Sequence, residues 1–302
     1  MELKIQNITK RYRDKTAVDD VSITLTPGVW GLLGANGAGK TTLMRMLAGI
    51  LRPSSGRILC DGVEIGTLGA AYREKLGYLP QEFGFYPEFT VQDYLEYMAA
   101  LKGLPRTEAA RQIDALLERV SLTEVRRKKI VKLSGGMKQK LALCCALIHR
   151  PAVLLLDEPT TGVDAVSRSE FWDMLSELKG KGISMLVSTP YMDEAVRCDR
   201  VALCDGGKIL AVDTPQGVVG RFDEPLYALA GDDMYGLLLE ARRHADVKEC
   251  YPFGQTPPLI AGEGFDAGRF VRETTARGFR RVTLRPVGAG IEDVFIKLMR
   301  HA

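Results

Sequence analysis

The hydrophobic pattern along the chain switches between strand-like and helix-like periods. Residues 1–33 read as strands, and the last of them, Val29–Leu33, is a short apolar run that enters a glycine-rich loop. Thr42–Ile50 then carries apolar residues at helical spacing. The uninterrupted apolar run Val153–Leu156 is typical of a parallel strand that is covered on both faces. Strands that alternate with helices predict an α/β core.

The middle and the end of the chain show different patterns. Residues 91–120 are predicted to be helical, and Met137–Ile148 predicts a further helix. Beyond a composition change near residue 220, the pattern predicts strand, helix, two strands, helix and strand, followed by a last helix. This order indicates a small α+β domain of the ferredoxin-like kind. The predicted domains are therefore 1–220 and 221–302.

Composition and charge exclude some classes of function. Hydrophobic residues make up 46% of the 302 residues and charged residues 26%, which is ordinary for a globular protein. The net charge of +3 is too small to favour a nucleic-acid binder. The longest apolar run, Leu141–Ile148, is far shorter than the roughly 20 residues that a membrane-spanning helix needs. A membrane function would therefore require a partner that supplies the membrane part.

A phosphate-binding loop is predicted between the third strand and the first helix. Gly34–Thr41 fits the pattern GxxxxGK[ST], in which glycines leave backbone N–H groups open to an anion and the next helix points its N-terminus at it. We expect Lys40 to reach the β- and γ-phosphates of a nucleoside triphosphate, and the Thr41 hydroxyl to bind Mg²⁺. An accidental glycine turn is the alternative, and the strand–loop–helix context weighs against it. The predicted nucleotide-binding residues here are Gly34, Asn36, Gly37, Ala38, Gly39, Lys40, Thr41 and Thr42.

Two acidic residues end the apolar strand at 153–156. We expect Asp157 to hold Mg²⁺, directly or through water, and Glu158 to orient or deprotonate the attacking water. The alternative is an acidic pair that is solvated at a strand end. The phosphate loop in the same chain favours the catalytic interpretation.

A second glycine-rich segment precedes the helix at 137–148. It reads LSGGMKQ, and Ser134, Gly135 and Gly136 provide a second helix N-terminus suited to an anion. With this segment, the phosphate loop and the strand acids, the chain resembles the ATP-binding cassette (ABC) transporter family, whose signature is LSGGQ-like. The resemblance covers residues 1 to about 220 in the family's order.

The resemblance implies a P-loop NTPase fold with a helical subdomain at about 84–150. It also implies a head-to-tail dimer, in which each ATP lies between one subunit's phosphate loop and the other's signature. Tyr12 would stack on adenine, and Gln81 would contact Mg²⁺ beside Thr41 and Asp157 and act in catalysis with Glu158. The implied cofactors are ATP and Mg²⁺. The implied partners are an integral membrane permease and a second ATP-binding subunit, with no nucleic acid, at the cytoplasmic face of the cell membrane.

The chain departs from the family after the predicted strand Ile183–Ser188. Where the family has a histidine that contacts the γ-phosphate, this chain has Pro190, which lacks both a backbone N–H and a side-chain donor. Two interpretations are open. Either the loop tolerates the change and Glu158 suffices, or this is the slow site of an asymmetric pair whose partner supplies the fast one.

Two further segments resemble exporters of the ABC-2 type. They are Tyr191–Ala195 and Gly290–Phe295, and that subgroup exports drugs, antibiotics, lipids or polysaccharides with an ATPase on a separate chain. The implied function is ATP hydrolysis that powers such an exporter. The alternatives are a non-transport ABC ATPase, acting on ribosomes or in DNA repair, and a regulatory module that holds ATP without turnover. Intact Lys40, Asp157 and Glu158 weigh against the regulatory module, whereas Pro190 weighs for it.

Overall fold

The computed structural model describes residues 1–252 and 256–301. The chain divides into two compact units, residues 1–215 and residues 216–300. The boundary after residue 215 lies slightly before the composition change that the sequence shows near residue 220. The first unit contains two sheets and the second contains one, and each unit has its own buried apolar cluster.

The first unit combines parallel and antiparallel strands with helices. Its strands are β1 (Leu3–Tyr12), β2 (Lys15–Leu25), β3 (Val29–Leu33), β4 (Ser55–Cys60), β5 (Val63–Glu64), β6 (Leu76–Leu79), β7 (Val153–Asp157), β8 (Ser184–Thr189), β9 (Arg200–Asp205) and β10 (Lys208–Asp213). Its helices are α1 (Lys40–Leu47), α2 (Ile65–Leu68), α3 (Ala70–Glu74), α4 (Val91–Leu101), α5 (Arg106–Arg119), α6 (Gly135–Leu147) and α7 (Ala165–Lys179), with 3₁₀ turns at Thr123–Val125, Ile130–Lys132 and Met192–Arg197.

The larger sheet of this unit has the strand order β10-β9-β3-β8-β7-β6. Neighbouring strands from β9 to β6 pair in parallel, and β10 pairs antiparallel with β9. Every residue of β3, β7 and β8 is buried, as the continuous apolar runs predict. Because carboxyl ends of parallel strands share one edge, the loops after β3, β6, β7 and β8 meet there.

A smaller antiparallel sheet packs against the same core. Its order is β2-β1-β4-β5, and buried apolar residues of β1, including Ile5 and Ile8, join the cluster that also holds Trp30, Met44 and Leu155. Helix α1 contributes its apolar face to this cluster and is thereby fixed directly behind the loop that follows β3. The position of that loop thus depends on core packing on both sides of it.

The region 91–120, which the sequence predicts to be helical, forms two helices, α4 and α5, with a break between them. The chain leaves α4 at Gly103, whose φ of 72° suits glycine, and α5 begins after Pro105 in an extended conformation. Proline lacks the N–H that a continuous helix would need at that position. Thr90 and Asp93 form a reciprocal capping box at the start of α4. The helical subdomain at 84–150 contains α4, α5 and α6, and its limits stay a prediction.

The second unit is built around an antiparallel sheet with the order β12-β13-β11-β14. Its main cluster packs Leu229 and Leu259 of the sheet against Leu237 and Phe270 of two helices. The observed order of strands and helices is the one that the sequence indicates, and the ferredoxin-like assignment stays a prediction. The elements are α8 (Pro215–Val219, at the division), β11 (Leu226–Ala230), α9 (Met234–Arg243), β12 (Val247–Cys250), β13 (Pro258–Ala261), α10 (Ala267–Ala276), β14 (Thr283–Pro286) and α11 (Ile291–His301).

Within residues 1–252 and 256–301, every helix is too short or too polar to cross a bilayer.

Candidate nucleotide and magnesium site

The loop after β3 forms a cradle at the N-terminus of α1. Gly39 has a φ of 96° and is the last residue before the helix, which begins at Lys40. A Cβ atom on Gly39 would lie 2.3 Å from the Ala17 carbonyl oxygen, and one on Gly34 would lie 2.2 Å from the Cys204 carbonyl oxygen. Backbone from two other strands therefore leaves no space for a side chain at either position. The predicted glycine requirement has a direct steric cause here.

We expect Gly34→Ala to destabilise the chain, because the added methyl group collides with the Cys204 backbone. Overpacking of this kind costs about 1–3 kcal/mol of unfolding free energy, and it should also weaken ATP binding by shifting the loop. Urea unfolding followed by circular dichroism measures the first effect. Gly288→Ala is the matched control, because a Cβ atom there meets nothing within 4 Å. Equal stability of the two variants would contradict the steric explanation.

Lys40 is buried, with 3% of its side chain exposed. Its Nζ donates to the carbonyl oxygens of Gly34 at 2.8 Å and Ala35 at 3.1 Å, and lies 3.3 Å from Glu158 Oε1. The ammonium group is thus held inside the phosphate loop by acceptors on two different segments. Phosphate oxygens that enter the loop would offer the same charge-assisted contacts.

Asp157 lies fully buried at the end of β7. Its Oδ1 accepts hydrogen bonds from Ser188 Oγ at 2.6 Å and from Thr41 Oγ1 at 3.2 Å, whereas its Oδ2 is buried without a hydrogen-bond partner. Burial raises the pKa of Asp157 above its usual value, and the hydrogen bonds from Ser188 and Thr41 partly offset that shift. Such a carboxylate gains stability when a cation supplies the missing partner.

These residues fit Mg²⁺. Asp157 has one oxygen, Oδ2, without a hydrogen-bond partner, and its other oxygen, Oδ1, accepts from the Thr41 hydroxyl. Gln81 Oε1 is 3.5 Å from Thr41 Oγ1. Carboxylate, hydroxyl and amide oxygens are the hard ligands that Mg²⁺ takes, usually together with waters and substrate phosphates. The structure therefore brings together Thr41, Gln81 and Asp157, the three residues that we predicted around the metal.

Glu158 follows β7 in a left-handed backbone conformation, with a φ of 49°. A non-glycine residue in that region costs about 1–3 kcal/mol and persists only when its surroundings hold it. Its carboxylate accepts from Gln81 Nε2 at 3.0 Å and from Thr161 Oγ1 at 3.3 Å, in addition to its contact with Lys40. The predicted pair of catalytic residues, Glu158 and Gln81, is thus in direct hydrogen-bond contact.

The loop after β8 approaches the phosphate loop from the neighbouring strand. Thr189 is fully buried, and its carbonyl oxygen accepts a hydrogen bond of 3.4 Å from the Gly34 N–H. Pro190 follows immediately, and Tyr191 N donates back to Thr189 Oγ1 at 3.0 Å. The place of the missing histidine is therefore next to the phosphate loop.

The signature segment lies at a helix N-terminus, as the sequence predicts, but the helix begins at Gly135 instead of Met137. Gly135 and Gly136 occupy the first turn of α6, with Ser134 as the N-cap that accepts a hydrogen bond from Met137 N at 3.3 Å. A Cβ atom on Gly136 would lie 2.7 Å from Ser167 Oγ, so glycine here permits close approach of α6 to α7. Glycine in a first helical turn was missed because helical periodicity depends on apolar residues.

Some predicted residues stay apart from the phosphate loop within this chain. In the part of the chain that the structure describes, hydrogen bonds and ion pairs connect none of Ser134, Gly135 and Gly136 to that loop. Tyr12 ends β1 with 45% of its surface exposed, and Lys10 Nζ lies 5.3 Å from its ring centroid. Asn36 and Gly37 are exposed at the loop tip, Ala38 is buried, and Thr42 is half-buried in α1.

Two contacting residues were missed by sequence reasoning. Ser188 bonds Asp157, and Thr161 bonds Glu158. The signal for Ser188 was a polar residue near the end of an otherwise apolar buried strand, which in a fully buried position must have a hydrogen-bond partner. Thr161 lies in an ordinary loop and gave no signal of its own.

The fold and the site together define a P-loop nucleotide-binding protein of the α/β class. Residues 18–161 match the protein family described as ABC transporter. The probable multidrug ABC transporter ATP-binding protein YbhF of Escherichia coli is 43% identical over 219 residues, which cover 72% of this chain and 38% of YbhF. This chain thus spans well under half the length of that relative.

Other relatives match over nearly their full length. The Nod factor export ATP-binding protein I of Ralstonia nicotianae is 34% identical over 305 residues, which cover 98% of this chain and 93% of the relative. A solved ATP-binding subunit of an ABC transporter shares 28% identity at a TM-score of 0.66, covering 74% of this chain and 93% of that chain. The chain belongs to the ABC transporter family of ATP-binding proteins.

Proposed function

We propose that this chain binds ATP with Mg²⁺ and hydrolyses it to power an ABC-2 type exporter whose membrane part is a separate permease. The observation that carries the proposal is the convergence of five side chains at one sheet edge. They include a buried lysine and two carboxylates at the end of β7, one of which has an oxygen without a hydrogen-bond partner. The five are Lys40, Thr41, Gln81, Asp157 and Glu158.

Each of these residues has a proposed task. Lys40 and the backbone amides of the loop bind the β- and γ-phosphates, and Tyr12 stacks on adenine. Thr41, Gln81 and Asp157 hold Mg²⁺, which neutralises charge on the phosphate oxygens. Glu158 orients the attacking water and accepts its proton, and Gln81 keeps the Glu158 carboxylate in place.

The signature residues are proposed to act on the ATP that a second subunit binds. Ser134, Gly135 and Gly136 are proposed to close over the ATP of a second ATP-binding subunit, which explains a helix N-terminus away from the chain's own phosphate loop. ATP favours the closed pair, and closure moves the Gln81 loop together with residues 84–150. The docked permease then responds on the cytoplasmic face of the membrane, and the domain at 221–302 is accessory.

Purification of the complex from native membranes tests this proposal. A permease that co-purifies with the chain, together with ATP hydrolysis that depends on Mg²⁺, supports it. The names of relatives that concern multidrug transport and Nod factor export favour an export direction. Recovery of the chain in the ribosome pellet, with no membrane partner, would instead support the non-transport alternative.

We propose that Pro190 makes this a slow site. The preceding residue, Thr189, accepts from the Gly34 N–H, so position 190 lies next to the phosphate loop without a donor to offer. An oriented donor to developing charge is typically worth about 10²–10³ in rate. A partner subunit with an intact histidine would then supply the fast site.

Pro190→His is expected to raise ATP turnover, by up to about 10²–10³-fold if the imidazole reaches the γ-phosphate. Steady-state phosphate release from the purified chain measures the change. Pro190→Ala is the matched control, since it relieves the proline constraint without adding a donor. If the histidine and alanine variants have the same turnover, the missing donor does not limit the rate.

A further inference from the structure

The end of β8 places a hydroxyl group against both acidic residues at the end of β7. Ser188 is fully buried and lies in register with Asp157 on β7 and with Leu32 on β3. It is therefore on the strand that separates the strand leading to the phosphate loop from the strand leading to the acids. Its side chain has no access to solvent and must find its partners inside the site.

The two partners of this hydroxyl are the last residue of β7 and the residue that follows it. Ser188 Oγ donates to Asp157 Oδ1 at 2.6 Å and accepts from the backbone N–H of Glu158 at 2.9 Å. A serine hydroxyl has one proton to donate, so these two bonds assign its direction without ambiguity. One atom thus contacts the side chain of the proposed metal ligand and the backbone of the proposed base.

The contact with Glu158 holds an unusual backbone. The Glu158 φ of 49° needs support from its surroundings, and its N–H is shared between the Ser188 carbonyl oxygen at 3.1 Å and the Ser188 hydroxyl. The contact with Asp157 has a complementary effect. The Ser188 and Thr41 hydroxyls both donate to Asp157 Oδ1, and Asp157 Oδ2 is left without a hydrogen-bond partner.

We infer that Ser188 is a positioning residue, which fixes the Asp157 carboxylate for Mg²⁺ and the Glu158 backbone for water activation. The inference rests on the proposed function and adds to it a residue that touches neither metal nor nucleotide. A hydroxyl that only satisfied its own burial could bond any neighbouring carbonyl oxygen. This hydroxyl instead joins the two carboxylate residues that must keep a fixed separation.

The test compares Ser188→Ala with Ser188→Thr in the full-length chain. Alanine removes the hydroxyl but keeps the carbonyl bond to Glu158 N, and threonine keeps the hydroxyl. Ser184→Ala is the matched control, because Ser184 is a buried serine on the same strand that lies opposite Val153 instead of a carboxylate. Thermal unfolding identifies the variants that remain folded.

The measurements separate metal positioning from general stability. For Ser188→Ala we expect kcat to fall about 10- to 100-fold, the effect of losing a hydrogen bond to a charged group. The affinity for Mn²⁺, a paramagnetic substitute for Mg²⁺, should fall in the complex with a non-hydrolysable ATP analogue. Binding of that analogue in EDTA should stay unchanged. Threonine should restore both kcat and Mn²⁺ affinity.

Several outcomes would overturn this inference. They are an unchanged kcat and Mn²⁺ affinity in Ser188→Ala, an equal loss in Ser184→Ala, and a folded Ser188→Thr variant as impaired as the alanine variant. These outcomes leave the proposed function intact as long as the unmodified chain binds and hydrolyses ATP. If the unmodified chain fails to bind ATP with Mg²⁺, the proposed function is wrong and the role of Ser188 falls with it.

Discussion

Lys40→Ala is expected to remove ATP turnover almost completely and to weaken ATP binding. The Nζ group lies inside the phosphate loop, bonded to the carbonyl oxygens of Gly34 and Ala35 and close to Glu158. Losing a charged hydrogen-bond donor should weaken ATP binding about 10- to 100-fold. Losing a donor to the transition state should lower kcat by about 10²–10³. Fluorescent-nucleotide titration and phosphate release measure the two effects.

Lys40→Ala should also destabilise the protein without nucleotide. This loss of stability must be distinguished from the losses of ATP binding and turnover. Lys40 and Glu158 are a buried ion pair, and removal of one partner of such a pair typically costs about 3–5 kcal/mol. Glu158 keeps its bonds from Gln81 and Thr161, so we expect the lower end of that range. Adding Glu158→Gln to Lys40→Ala removes the unpaired charge. It should restore stability but not turnover.

The control is a substitution at an exposed lysine outside the site. The measurement is the rise in unfolding temperature that ATP with Mg²⁺ causes. Lys181 is exposed, and Lys181→Ala should leave unfolding temperature and turnover unchanged. ATP with Mg²⁺ should raise the unfolding temperature of the unmodified chain and of Lys181→Ala through preferential binding to the folded state. An equal rise in Lys40→Ala would show that the loop does not bind phosphate through this lysine.

The local parts of the site could be predicted from sequence. The phosphate loop needs glycines, a lysine and a hydroxyl within eight consecutive residues, and the structure explains the two glycine positions by backbone contacts at Ala17 and Cys204. The two acids follow one apolar strand directly. In both cases a short segment contains the required chemistry together with the strand that places it, so no knowledge of distant residues is needed.

The contacts between segments could not be predicted. Ser188 and Asp157 are 31 positions apart, and Gln81 and Glu158 are 77 apart. Their proximity depends on the strand order β3-β8-β7-β6 and on the register of each pair, which hydrophobic patterns do not specify. The resemblance to a family supplied Gln81, whereas nothing in the sequence connected Ser188 to the acids.

Helix limits were predicted less well, for two physical reasons. The apolar spacing at 91–120 continues across the break between α4 and α5, so only Gly103 and Pro105 mark it. Helix α6 begins at Gly135, because close packing of Gly136 against Ser167 outweighs the poor helix propensity of glycine. Tertiary contacts of this kind override local preference.

Glu158→Gln is expected to stop turnover while ATP binding is retained. The glutamine keeps the size of the side chain and can still bond Gln81 and Thr161, but it cannot accept the proton of the attacking water. General base catalysis contributes about 10²–10⁴ in rate, so kcat should fall by about that factor. Single-turnover hydrolysis of radiolabelled ATP measures the chemical step, and nucleotide titration measures binding.

We expect Glu158→Gln to bind ATP more tightly than the unmodified chain, because of a contact that Glu158 makes when no nucleotide is bound. Glu158 Oε1 lies 3.3 Å from Lys40 Nζ, so the carboxylate competes with phosphate for the lysine. A neutral amide competes less and adds no negative charge beside the γ-phosphate. Glu177→Gln, at an exposed position on α7, is the matched control and should keep normal turnover. If Glu158→Gln hydrolyses ATP within a few-fold of the unmodified rate, another group must activate the water, and the acid pair at the end of β7 serves the metal alone.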